Sequence, residues 1–162
     1  MLSTDAPLSA PTIRRQLLKW YDRSRRDLPW RALRRDRPDP YHVLVSESML
    51  QQTQVATVIP YYNRFIARFP TVQTLAAADA QEVLRLWQGL GYYSRAQHLL
   101  AATRMIVSDF AGQVPAEVES LLRLPGVGRY TAGAVASIAF DRREPILDGN
   151  VARVLCRLDR IE

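Results

Sequence analysis

At 162 residues the chain suits one compact domain or two small ones, and an apolar share of 48% excludes general disorder. Lys and Arg total 22 against 16 Asp and Glu, a formal charge of +6 and a pI near 10.0. That balance favours a polyanionic partner, nucleic acid above all, beside the plainer reading of an arginine-rich soluble surface. Cys156 is the only cysteine, which excludes a disulfide framework and a cysteine-built metal site within the chain.

No apolar run approaches the length of a membrane span, and the N-terminus carries no apolar signal segment. The setting this implies is intracellular: cytoplasmic, and in a bacterium the nucleoid. Lys19 is the only lysine; every other basic side chain that stays charged is arginine. A guanidinium grips phosphate with two parallel donors but cannot serve as a Schiff-base amine.

Helical spacing dominates and strand alternation is absent, so the class expected is all-α. Residues 1–10 are polar, carry proline and read as disordered. Residues 11–30 form an N-terminal helix, with Ile13, Leu17, Leu18 and Tyr21 on one face, and a connection. From Arg26 to Pro40 the chain is charged and broken by prolines, which predicts an irregular link. Helices are expected over about Tyr41–Gln52 and Val55–Phe69. Asp79, with Glu82 three places on, opens another that ends at Gly89-Leu-Gly91. Ser94 is expected to cap a helix running to about Phe110, and Pro115 to open one through Leu124. A glycine-rich turn leads to a helix over Tyr130–Phe140, and a last helix begins near Asp148. Residues 31–148 thus form the main helical domain, and 149–162 start a helix still amphipathic at Leu158 and Ile161. That pattern reads as a chain continuing beyond residue 162.

The most specific pattern is Leu121-Leu-Arg-Leu-Pro-Gly-Val-Gly-Arg-Tyr-Thr-Ala132, a helix-hairpin-helix over about 117–140. Pro125 discourages the first helix from continuing. Leu124 and Val127 anchor the turn, and Gly126 and Gly128 leave backbone N–H groups uncovered at the start of the next helix. Such groups suit an anion, and a DNA phosphate fits them. Arg129 adds charge. An ordinary glycine-containing helical hairpin is the competing reading. Amides of this kind position a duplex without reading its sequence.

Glu47 interrupts the apolar run Val43-Leu-Val45 and Met49-Leu50. It sits either on a solvated helix face or in a desolvated site, where its pKa rises and it becomes a proton donor near neutrality. Asp148 stands where a helix starts, which by itself reads as an N-cap.

Ser46-Glu-Ser-Met-Leu-Gln-Gln-Thr-Gln-Val55, Gly89-Leu-Gly-Tyr-Tyr93, the hairpin and Pro145-Ile-Leu-Asp-Gly-Asn-Val151 resemble the helix-hairpin-helix glycosylases with a Gly/Pro-Asp signature. Among these the MutY-type adenine DNA glycosylases are most similar, over about residues 26–160. The resemblance implies a six-helix barrel-type domain with an N-terminal helix, acting on double-stranded DNA that contains a mispair, as a monomer. It implies that Glu47 protonates the adenine ring and assists attack by water. Asp148 then stabilises positive charge on the deoxyribose, the two-carboxylate division of labour of sugar hydrolases. Tyr130 stands where the endonuclease III-like branch has its Schiff-base lysine, which implies base removal without strand cleavage. Its hydroxyl would support the reaction centre, unless the ring simply packs. Asn150 would hydrogen-bond near Asp148, or merely occupy a first helical turn.

By the same resemblance Gln52 and Tyr92 wedge into the duplex, and Leu50 lies near the adenine. Arg26, Trp30 and Arg31 line its pocket, although extra charged residues around Arg34–Pro38 depart from many members. At least one of Tyr92 and Tyr93 is expected in the core. The family usually has four cysteines after the catalytic domain, holding a [4Fe-4S] cluster, and then a domain that helps recognise oxidised guanine. This chain holds neither, and Cys156 matches no cluster ligand, so no cofactor is expected here. The apolar face of the N-terminal helix, which would pack on that part, is expected to be exposed. The alternatives are a glycosylase for another base, such as thymine or uracil opposite guanine, and a truncated non-catalytic DNA-binding module.

Overall fold

The computed structural model describes residues 9–31, 33–34 and 37–159. Of residues 1–10, expected to be disordered, 1–8 lie outside them, as do Ala32, Arg35 and Asp36 of the charged link and Ile161; Ala10 is instead the first residue of α1. Among the described residues there are nine α-helices: α1 Ala10–Ser24, α2 Pro40–Leu50, α3 Val55–Arg68, α4 Val72–Ala76, α5 Ala80–Trp87, α6 Ser94–Asp109, α7 Val118–Leu121, α8 Arg129–Phe140 and α9 Gly149–Asp159. The all-α expectation holds with one small addition. The link before α2 contains a single 3-10 turn, Pro29–Arg31, and a short antiparallel ribbon of β1 (Leu33–Arg34) and β2 (Arg37–Pro38).

The centre of the molecule is α2. Tyr41, Val43, Leu44, Val45, Ser46, Glu47, Ser48 and Met49 are all buried, so the helix is enclosed on every side by α3, α6 and α8. Asp39 and Pro40 start it. The Asp39 carboxylate accepts from the Tyr41 and His42 amides at 2.9 and 3.3 Å, and Pro40 fills the first turn, where no N–H is needed. Ser46 and Ser48 donate back to the carbonyls of Val43 and Leu44, each at 2.8 Å, so their buried hydroxyls are satisfied inside the helix.

Phe65 of α3 packs edge-on to Phe69 and to Trp87 of α5, and Trp30 packs edge-on to Tyr62. Tyr41 closes the end of α3 by donating to the Phe69 carbonyl at 2.9 Å. The Asp79 cap forms as the sequence predicts, accepting from the Gln81 and Glu82 amides. Glu82 does not return the bond. It forms instead a two-bond ion pair with Arg68 at 2.6 and 3.0 Å. The reciprocal capping box belongs to α4, between Thr71 and Thr74.

Two expected boundaries are corrected. Ser94 is not a cap: α6 begins from Tyr93, whose backbone is already helical, and no side chain caps the end. Nor does Pro115 open a helix. The first helix of the hairpin is the single turn α7, Val118–Leu121, and residues 113–116 are irregular. Leu121 and Leu124 reach the core without a longer helix.

Of the apolar face expected to be exposed, Leu17 and Leu18 are more than half exposed and Tyr21 is exposed, while Ile13 is half-buried. Trp20 is exposed as well, and no residue of α1 is buried. Gly133 sets the path of the chain into α9. A Cβ there would lie 3.2 Å from the Pro145 carbonyl oxygen, so the bare backbone lets residues 144–146 run close along α8 toward Asp148.

The hairpin glycines differ in what they tolerate. Gly126 has φ +74° and a Cβ there would meet the His98 Cβ at 2.6 Å, whereas Gly128 has φ −88° and open space. Gly126→Ala is expected to cost about 2 kcal/mol or more, and Gly128→Ala no more than about 0.5 kcal/mol. Urea midpoints of the two variants check this, and equal losses would contradict it.

Candidate active site

Burial dominates the chemistry of Glu47. The residue is only 8% exposed. Desolvation raises its pKa from 4.5 to about 7, against a smaller lowering by the Arg31 guanidinium. The desolvated reading therefore replaces the solvated-face one. Arg31 is itself held in place, since its Nη1 donates to the Tyr21 hydroxyl at 3.3 Å and its guanidinium lies 5.9 Å from that ring centroid.

Asp148 has the opposite environment. Its Oδ1 accepts the Val151 amide at 2.7 Å, and its Oδ2 accepts from Asn150 Nδ2 at 3.1 Å. The Val151 amide bond, the largest influence, holds its pKa below the usual carboxylate value against the rise from burial, and the Asn150 donors and Arg153 add smaller lowerings. Capping and site placement coincide in this residue.

Tyr130, in the first turn of α8, is 43% exposed. Its hydroxyl is raised above its ordinary value, chiefly by burial and then by the fields of Glu47 and Asp148. It therefore stands within electrostatic reach of both carboxylates.

These residues share one cleft of about 740 Å³. Glu47, Tyr130, Asp148 and Asn150 line it together. So do Leu50 and Gln52, and so do Arg26, Trp30 and Arg31. The structure thus gathers residues from both halves of the chain at one place. Leu28 and Ile138 also line it; neither carries a sequence signal beyond being apolar.

The hairpin turn, residues 124–129, and Tyr92 are not among the residues that line this cleft. Leu124 and Val127 are buried as turn anchors, while Gly126, Gly128 and Arg129 are at least partly exposed. Tyr92 and Tyr93 are 60% and 46% exposed. The expectation that at least one is core is therefore corrected: both rings are exposed, and Tyr92 lies beside the buried Arg95 guanidinium, whose carbon is 5.2 Å from its ring centroid. Gln52 and Tyr92 have φ of +56° and +50°, the left-handed region that side chains other than glycine rarely adopt.

Sequence reasoning missed Arg95. Only 8% exposed, it donates from Nη1 to the carbonyls of Ser48, Met49 and Gln51 at 3.3, 2.8 and 2.5 Å. From Nη2 it donates to Leu90 and Gly91 at 3.4 and 3.1 Å. Its place directly after Gly-Tyr-Tyr-Ser is visible in the sequence, but its partners lie up to 47 positions away.

Among the described residues no group of three or more His, Cys, Asp or Glu could hold a metal ion. A cluster ligated by four thiolates does not fit this chain, whose one thiol, Cys156, is exposed. No helix among the described residues is long and apolar enough to cross a membrane.

A helical domain with a glycine hairpin and two carboxylates of opposed character at one cleft defines the helix-hairpin-helix glycosylase class. Residues 45–162 match the HhH-GPD superfamily of base excision DNA repair proteins, and the chain belongs to that superfamily. It is 55% identical over 153 residues to the adenine DNA glycosylase of Rattus norvegicus, covering 91% of this chain and 30% of that protein. It is 54% identical to the human protein of the same name, over 91% of this chain and 28% of that one. To the Mycolicibacterium smegmatis protein of that name it is 48% identical, over 88% and 47%. The chain thus spans less than half the length of these relatives. Among solved structures it is similar to a thermostable thymine-DNA glycosylase, with TM-score 0.78, 30% identity, and 91% and 69% of the two chains covered. It is likewise similar to endonuclease III in a non-covalent DNA complex, with TM-score 0.78, 26% identity and 96% and 71% covered.

Burial of Glu47 has a stability consequence with a definite sign. Folded, Glu47 keeps its proton up to about pH 7; unfolded, it releases it near 4.5. Stability is unaffected below 4.5, falls as pH rises through that window, and is constant above it. The gap between 4.5 and about 7, at about 1.4 kcal/mol per pH unit, amounts to roughly 3 kcal/mol. Glu47→Gln is therefore expected to gain most of that over the parent at pH 8.5 and little at pH 4.5. Urea midpoints at both pH values check it, and an equal effect at both would contradict the burial argument.

Proposed function

We propose that this chain hydrolyses the N-glycosidic bond of adenine mispaired with 8-oxoguanine or guanine in double-stranded DNA. The observation that carries this reading is the pair of carboxylates lining one cleft with pKa values pushed in opposite directions, Glu47 up and Asp148 down. Such a pair separates the acid from the charge stabiliser.

In this mechanism the adenine leaves the stack, at a cost of a few kcal/mol, and enters the cleft between Leu50 and the Arg26–Trp30–Arg31 wall. Glu47 gives its proton to a ring nitrogen, which turns a poor leaving anion into a neutral base. The bond between the base and C1′ breaks, and the electron pair goes with the base. The oxocarbenium-like sugar is stabilised by the Asp148 carboxylate, which Asn150 and the Val151 amide hold ionised. Water adds to C1′, and its proton returns to Glu47. Tyr130 stands between the two carboxylate fields and supports the centre.

Among the described residues no lysine lines the cleft, and Lys19, the one lysine of the sequence, lies on α1. A Schiff base with the sugar has no amine to form it, so the reaction stops at the abasic site. The exposed amides at Gly126 and Gly128, with Arg129, suit the phosphate backbone. Gln52 and Tyr92 are the residues proposed to meet the mispair. The adenine assignment is supported by identities of 54–55% to proteins named adenine DNA glycosylase, against 30% to the thymine-DNA glycosylase.

The test is single-turnover incubation with duplexes carrying adenine opposite 8-oxoguanine, or thymine opposite guanine, followed by alkali. The adenine strand is expected to break only after alkali, and Glu47→Gln to be slower by at least about 100-fold. Breakage without alkali, preference for the thymine duplex, or an equally fast Glu47→Gln would overturn the reading.

A further inference from the structure

Two surface turns in this molecule hold a side chain other than glycine in the left-handed region beside a proposed DNA face. One is the turn after α2, with Gln52 at φ +56°; the other follows α5, with Tyr92 at φ +50°. Both residues are exposed. Left-handed backbone at such residues persists only where the surroundings over-determine it.

Arg95 is common to both turns. The last carbonyls of any helix lack partners within it. At the end of α2 the Ser48 and Met49 carbonyls, together with that of Gln51, are taken by Arg95 Nη1. A cation there also suits the negative end of the helix. The other fork nitrogen, Nη2, takes the Leu90 and Gly91 carbonyls. The guanidinium carbon stands 5.6 Å from the Trp87 ring centroid and 5.2 Å from that of Tyr92. Trp87 Nε1 holds the Gly91 carbonyl as well, at 3.1 Å. One planar cation thus ties the residue before Gln52 to the residue before Tyr92 and lies near the Tyr92 ring.

We propose that Arg95 is a positioning residue that couples the two turns, so that Gln52 and Tyr92 meet the duplex as one rigid wedge. This rests on the reading that those two residues contact the mispair. The coupling needs the fork. A lysine at this place has one nitrogen and cannot reach both sets of carbonyls at once. Without the fork each turn relaxes separately, and selection of the mispair suffers while grip on the phosphates, which belongs to the hairpin, does not.

The experiment compares the parent chain with Arg95→Lys by amide hydrogen exchange without DNA, then by binding to mispaired and fully paired duplexes. The Thr53 and Leu90 amides, which bond to the Leu50 and Trp87 carbonyls within the two turns, are expected to exchange at least about tenfold faster in the variant, with α3 and α8 unchanged. Preference for the mispaired duplex is expected to fall at least about tenfold, with affinity for the paired duplex within about twofold. If a buried lysine charge unfolds the chain, Arg95→Gln, which brings no charge, carries the same expectations. Faster exchange in one turn only, or in neither, overturns the coupling. Faster exchange in both with preference intact overturns its role in recognition. A parent chain with no mispair preference overturns the proposed function, and is told apart because exchange is read without DNA.

Discussion

A carboxyl group placed in a helix that has no solvent face is the constraint on which the rest of this molecule depends. Helix α2 is buried along nearly its whole length, so Glu47 cannot turn to water without leaving the core. It reaches instead toward the cleft, where Arg31 is the cation that acts on it. One nearby guanidinium offsets only part of the desolvation, and the carboxyl keeps its proton to about pH 7. The surrounding packing supplies the rigidity that makes this possible. Asp39 and Pro40 fix where α2 starts, and the Arg95 fork fixes where it ends.

The second carboxylate is built by opposite means. Asp148 sits at a helix start, partly open to water, and is held by an amide and an asparagine. It arrives there because residue 133 has no side chain, which lets the extended stretch before α9 lie close on α8. One group is kept neutral by exclusion of water and the other is kept charged by donors. Both open on one cleft that Tyr130 also lines, and that contrast gives the site one neutral carboxyl and one carboxylate.

Much of this was legible in the sequence where the signal is local. The hairpin motif is contiguous, and its two anchors and two glycines take the places the pattern implies. The Asp79 cap and the interruption of an apolar run by Glu47 read directly. Features set by distant partners did not read. Arg95 looks like any helix-start arginine until α2 is seen 44–47 positions away. Glu82 matched a capping box but was taken by Arg68, because a two-bond ion pair across helices competes with a single backbone bond. Ser94 looked like a cap, yet the strained turn at Tyr92 brings the chain into helical geometry one residue earlier. Tyr92 and Tyr93 read as partly core because aromatic rings usually are, whereas both are exposed and Tyr92 lies beside the buried Arg95 guanidinium, a distant-partner effect no local pattern shows. The gathering of Arg26, Trp30 and Arg31 in one cleft with Glu47 followed from family likeness and not from spacing.

The measurement closest to the centre of this account is the titration of the Glu47 carboxyl itself, followed by carbon NMR on selectively labelled chain. The account predicts a midpoint near pH 7 that moves higher when Arg31 is replaced by Met, since that guanidinium is the group lowering it. A midpoint in the ordinary carboxylate range, near 4.5 and indifferent to Arg31, would contradict it.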